Sequence, residues 1–196
     1  MVMDAANRLV RAVVDAPVPV IVRIRGAAAG IGVGIALAAD LVYASEDSYL
    51  LLAFINIGLM PDGGASALVA AAAGRPLAAA MALLGERLPA TAARAAGLIT
   101  AVVPDEELDA TVQTAAPKIA AGPRRALELT KKALNQATLT SLDTALATEK
   151  AGSPNCCGPR ISSRAPQPCS PSARPSSRTD QPAVTDRPIA DYVHRL

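Results

Sequence analysis

A chain of 196 residues, 51% hydrophobic but with one Phe and no Trp, suits a single domain whose core is built from aliphatic and alanine side chains. Its formal net charge of +2 is too small to make nucleic acid an expected partner. All three cysteines (Cys156, Cys157, Cys169) and the only histidine, His194, fall after residue 150, so the body of the chain holds no thiol or imidazole for chemistry. Adjacent Cys156 and Cys157 cannot readily share one tetrahedral site, and no metal site is expected.

In chain order, Asp4 is placed to cap a helix whose apolar positions Leu9, Val10, Val13 and Val14 recur at helical spacing. Pro17 and Pro19 end it, and the β-branched run Val18 to Ile24 predicts a strand. A helix after Gly30 carries Ile31, Ile35, Leu37 and Ala38 toward a core. Short strands at Leu41 to Ala44 and Tyr49 to Ala53 flank a turn marked by Glu46 and Asp47. Helices are expected over 64–73, 76–84, 91–96, 105–121, 124–136 and 139–150, with a strand at Thr100 to Val103. The order is α/β first and helical afterwards, one unit over 1–104 and a second over 105–150.

From Ala151 the composition changes. Residues 151–196 hold eight Pro, seven Ser and six Arg but no Lys, without helical or alternating pattern, and disorder is the expectation. Such a switch is what an altered reading frame in GC-rich coding DNA gives. The first residues lack a secretory pattern and no apolar run is a convincing membrane span, so a cytoplasmic location is expected.

The stretch GAAAGIGVGIALAAD at 26–40 is the place where backbone chemistry is legible, because glycines let a ligand approach main-chain N–H groups. A dinucleotide fingerprint needs a third glycine where Ile35 stands and a carboxylate at the end of the next strand. A phosphate-binding loop needs a Lys-Ser or Lys-Thr pair that does not follow. What remains is a helix start near Gly30 to Gly32 whose first N–H groups have no intrahelical partner and, with the helix dipole behind them, suit a negative oxygen. The other reading is a glycine turn that only lets the helix pack closely on the strand. Asp62, in Leu59-Met60-Pro61-Asp62-Gly63-Gly64, also has two readings, a working acid or base and an N-cap for the following helix.

From Pro19 through about Lys150 the chain resembles the enoyl-CoA hydratase/isomerase, or crotonase, family. The matching pieces are PVPVIVRIRG, AAGIGVGIALAADL, YASEDSYLLLAF, NIGLMPDGGAS, ALLGERLPATAARAAGLITAVVPDEEL and AAGPRRALELTKKALN. The resemblance implies an α/β fold, the crotonase-like (ClpP/crotonase) spiral of ββα turns followed by C-terminal helices. It is incomplete at the N-terminus, because members place further strands and a loop before the strand at 18–24. It also implies fatty acyl-CoA thioesters as substrates, no separate cofactor, an enolate held in an oxyanion hole, a role in fatty acid metabolism, and a homotrimer or hexamer.

Carried over by motif, the Ile31 backbone N–H is one oxyanion donor and Asp62 the acid or base, while Ala29, Gly30, Gly32, Gly34, Phe54, Pro61 and Gly63 line the substrate. The second oxyanion donor comes, in the family, from the upstream loop. The two glutamates of hydratases fall on Gly34 and Phe54, neither of which moves a proton. Isomerisation is therefore expected over hydration, since one carboxylate can shuttle a proton between the α and γ carbons. The alternative is a catalytically incompetent fragment or a partner in a mixed oligomer. Lys131 and Lys132 are read as solvated surface of a late helix, with CoA phosphates as the other possibility.

Overall fold

A computed structural model describes residues 2–156. Strands β1 (Ile21–Ile24), β3 (Leu41–Ser45) and β6 (Ala101–Val103) form a parallel sheet in the order β1-β3-β6. Strands β2 (Ala27–Ala29), β4 (Tyr49–Leu51) and β5 (Leu88–Pro89) form a second sheet, β2-β4-β5, parallel in its first pair and antiparallel in its second. Each of the first two turns gives one strand to each sheet and then a helix: β1-β2-α2 (Ile31–Leu37) and β3-β4-α3 (Ala65–Leu84). This is the spiral of ββα turns that the sequence implies, closed by α4 (Ala90–Ala95) between β5 and β6.

The chain turns from one sheet to the other at Gly26, whose φ of 74° favours glycine. Ser48, 2% exposed, stitches that corner: its hydroxyl donates to Ile24 O (3.0 Å) and accepts from Gly26 N–H (3.1 Å). A corner buried in this way needs such a partner, because an unpaired main-chain group there costs about as much as a lost hydrogen bond.

Helix α2 lies between two cores, which is why it is apolar all round. On one side Val33 and Ala36 join Ile24, Val42, Ala44, Leu50, Leu52, Phe54 and Val69. On the other, Ala38 with half-buried Ile31 and Ile35 meets Val10 and Val14 of α1 (Val2–Val14), Leu68 of α3, and Leu142 and Leu146 of α7 (Leu142–Cys156). The large buried side chains are mostly Leu and Val, as the near absence of aromatic residues demands.

Several expectations change. Strands β2 and β5 were not legible, and the strand expected over 18–24 is only Ile21–Ile24. Its first residues are claimed by side chains: Asp40 accepts the Val20 N–H at 2.7 Å and Lys131 donates to Val18 O at 3.2 Å. Asp4 is not a cap but sits inside α1, paired with Lys150 of α7. The helices expected at 64–73 and 76–84 are the two arms of α3, broken at Gly74 (φ 79°, ψ 165°) ahead of Pro76. By length and composition α3 is apolar enough to cross a membrane, yet the break divides it and both arms bury residues in the cores.

The helix expected at 105–121 opens with a 3-10 turn, Asp105–Glu107, before α5 (Leu108–Ala120). The last helix starts at Leu142 and runs on to Cys156, into the segment read as tail; the remainder of that segment lies outside the described residues. Lys131, on α6 (Arg124–Thr138), is not solvated. Only 5% of its side chain is exposed, and its ammonium donates to Val13 O (2.9 Å), Val18 O and Asp40 Oδ2 (2.8 Å), pinning α6 to the α1–β1 connection. Lys132 is exposed as expected.

Candidate active site

The site is built where α2 begins. Gly30 donates its N–H to Leu51 O at 2.9 Å, tying the turn to the end of β4, and holds φ 55°, ψ −125°, a conformation that L side chains rarely adopt. Among the described residues no acceptor meets the N–H of Ile31 or Gly32, since the first intrahelical bond goes from Val33 N–H to Gly30 O at 3.1 Å.

Two other segments close on this turn. The Phe54 ring lies 3.6 Å from the point where a Cβ on Gly30 would stand. The Pro61–Gly64 loop crosses over α2: a Cβ on Gly34 would lie 2.6 Å from Gly63 O, and the space beside Gly63 is filled by the Ile31 side chain. Thus Gly30 meets Phe54, and Ile31 and Gly34 meet Gly63. Ala29 is exposed at the end of β2, Gly32 and Pro61 are half-buried, and Gly34, Phe54 and Gly63 are buried. With Gly63 O pressed on Gly34, there is no room at this position for a larger side chain.

Asp62 rides on this loop. Its Oδ1 is fully buried with no hydrogen-bond partner among the described residues, and burial pushes the carboxyl above the usual aspartate range. The capping reading of Asp62 is overturned, because the free amides of α3 are taken from elsewhere. Glu149 of α7, 1% exposed, accepts Gly64 N–H at 2.7 Å, Ser66 N–H at 3.1 Å and the Ser66 hydroxyl at 2.6 Å. Burial pushes Glu149 upward as well, while these bonds pull it back and the Asp62 charge adds to the rise. Sequence reasoning missed Glu149. The available signal was a carboxylate in register with Leu142 and Leu146 on the apolar face of the last helix.

Two clefts lie elsewhere on the chain. One, of about 510 Å³, opens between β3 and α5 beside Tyr43, Thr114 and Lys118; the other, of about 250 Å³, lies past the end of α2 beside Asp40 and Thr100. Neither is lined by Ile31 or Asp62.

The enoyl-CoA hydratase/isomerase family model matches residues 2–153. The chain belongs to that family. It is 42% identical over 144 residues to the 1,2-epoxyphenylacetyl-CoA isomerase of Escherichia coli K12, covering 74% of this chain and 55% of that protein. It is 36% identical over 115 residues to the 2,3-dehydroadipyl-CoA hydratase of the same organism, covering 58% and 45%. A crystal structure of an enoyl-CoA hydratase from Mycobacterium avium subsp. paratuberculosis K-10 superposes with a TM-score of 0.79 at 52% identity, over 81% of this chain and 65% of that one. The family's crotonase-like fold is thus present, in a chain spanning about half the length of the curated relatives it matches.

Proposed function

We propose that this chain acts on fatty acyl-CoA thioesters by isomerase-type chemistry, with the acyl-CoA as substrate and no separate cofactor. The observation that carries the reading is Asp62. It is a half-buried carboxylate whose buried Oδ1 has no hydrogen-bond partner among the described residues, its pKa raised, on a loop packed against the first turn of a helix whose Ile31 amide meets no acceptor there. A carboxylate raised toward neutrality is a better-matched base than an ordinary aspartate. It takes a proton from the α or γ carbon of an enoyl thioester and returns it to the other, so that the double bond moves and no atom is gained or lost. The enolate oxygen formed between the two steps accepts from the Ile31 N–H, where the positive end of the helix adds to the hydrogen bond. Gly30, Gly32 and Ala29 keep the approach to that amide open, Phe54 and Pro61 give it apolar walls, and Gly34 and Gly63 permit the close packing.

The relative named as an isomerase of a CoA thioester supports the class, and the lack of room at Gly34 argues against hydration. A role in fatty acid metabolism, a cytoplasmic setting and assembly as a homotrimer or hexamer belong to the same reading. The test is turnover of 2-enoyl-CoA and 3-enoyl-CoA by the full chain and by Asp62→Asn. Loss of the acid/base group lowers the isomerisation rate about a hundredfold to ten-thousandfold; equal rates would remove Asp62 from the mechanism.

A second reading, a chain that supplies this wall to a mixed oligomer without turnover of its own, is favoured by its spanning about half the length of the curated relatives it matches. No turnover by the unmutated chain, with activity restored on mixing with a full-length relative, is its signature.

A further inference from the structure

We infer that Glu149, on the last described helix, is the positioning residue for Asp62, an inference that rests on the acid/base reading of Asp62. Among the described residues the Asp62 carboxylate has no hydrogen bond to hold it, so its place is set by the main chain on either side. Both sides are clasped by one face of α7. Upstream, Met60 Sδ fills the space beside Gly152. Downstream, Leu142 Cδ1 and Leu146 Cδ2 stand 2.6 and 3.3 Å from where a Cβ on Gly64 would be, so that only glycine allows the helix this close. Between these apolar contacts Glu149 makes the one polar grip: Oε2 holds the Gly64 amide, Oε1 the amide and hydroxyl of Ser66.

The grip replaces a local cap. The N-cap of α3 is Gly64, which has no side chain to turn back on the free amides, and the carboxylate that does so comes from 85 residues further along the chain. Helix α7 is itself packed on α1 through Leu142 and Leu146 against Val10 and Val14, with the ion pairs Arg11–Asp143 and Asp4–Lys150 at the surface of that contact. Glu149 does not carry the proton. Both its oxygens are engaged and its side chain is closed to substrate, so its action runs through the Asp62–Gly64 backbone.

The test uses the full chain carrying Glu149→Gln, which keeps the shape, and Glu149→Ala, each alone and combined with Asp62→Asn. Amide hydrogen exchange and turnover of 3-enoyl-CoA are the two readouts. In Glu149→Gln the Gly64 and Ser66 amides exchange about tenfold faster or more, while those of β3 are unchanged. The kcat falls about tenfold to a hundredfold with KM held within about twofold, because a displaced base loses rate rather than binding. In the Asp62→Asn background the Glu149 changes cost nothing further, as expected of two residues acting through one group.

Unchanged exchange at Gly64 and Ser66, or an equal loss of rate in both backgrounds, would overturn the assignment. So would a loss confined to KM. Should Asp62→Asn leave turnover intact, the acid/base reading itself fails and Glu149 has no reaction to serve. That result is distinct from an Asp62-dependent reaction indifferent to Glu149, which refutes the positioning role alone.

Discussion

Replacing Asp62 by Ala distinguishes a helix cap from a working carboxylate by the sign of the stability change. A capping aspartate lost to Ala costs about 0.5–2 kcal/mol. Here the α3 amides belong to Glu149, and Asp62 Oδ1 is buried without a partner, a situation that costs the folded state about 1–3 kcal/mol. Asp62→Ala removes that cost, so the variant is expected to be more stable than the wild type by about 1 kcal/mol at pH 7. For a domain of this size that is a rise in Tm of about 2–4 °C. The pH dependence carries the same sign. Burial raises the folded-state pKa above the unfolded value of about 3.9, so below that value both states are protonated and the variant's advantage is smallest. As pH climbs toward the raised value the unfolded state releases a proton that the native state retains, wild-type stability falls, and the advantage of the variant grows. Urea unfolding followed by far-UV circular dichroism from pH 4 to 8, compared at constant m, measures the difference. A variant less stable than wild type by about 1 kcal/mol at pH 7, with the deficit shrinking toward pH 4, is the behaviour of an ionised cap and refutes the reasoning.

Lys131→Met leaves the carbonyls of Val13 and Val18 without their donor at the α6–α1 junction and removes the partner of the part-exposed Asp40 carboxylate, and should lower stability by about 1–3 kcal/mol, whereas Lys132→Met changes it by less than about 0.5 kcal/mol. Equal effects at the two sites in denaturant titrations would show that the junction is not held by the ammonium. Gly34→Glu, which adds a carboxylate where the family resemblance implies one in hydratases, drives a Cβ to within 2.6 Å of Gly63 O; it should cost about 1–3 kcal/mol and leave hydration of 2-enoyl-CoA no faster than in the parent chain. A gain in hydration without loss of stability would mean that the loop yields.

Periodicity and punctuation made most of the elements legible. The Val18–Ile24 run, the glycines at 30 and 32 and the Asp62-Gly63-Gly64 turn lie where the local pattern places a strand, a helix start and a helix entry. The three alanines of β2 carry no β-branched signal, and their pairing with Tyr49–Leu51 depends on a strand more than 20 residues away. Lys131 reads as surface from its helix alone, and becomes buried because α6 meets the end of α1 with two main-chain carbonyls to satisfy. Glu149 reads as an ordinary charged residue between Thr148 and Lys150, and the Asp62 turn leaves open whether its carboxylate caps the helix or works as an acid or base.

The sequence by itself determined most of the strand and helix order, without β2 and β5, and the family motifs, because steric preferences and side-chain identity act over a few neighbours. Only the tertiary structure decided that Asp62 is unpartnered and that a carboxylate from the last helix holds the turn beneath it. A buried amide is satisfied by whichever acceptor packing brings within 3 Å, and that choice is made by helix meeting helix rather than by adjacency in the chain.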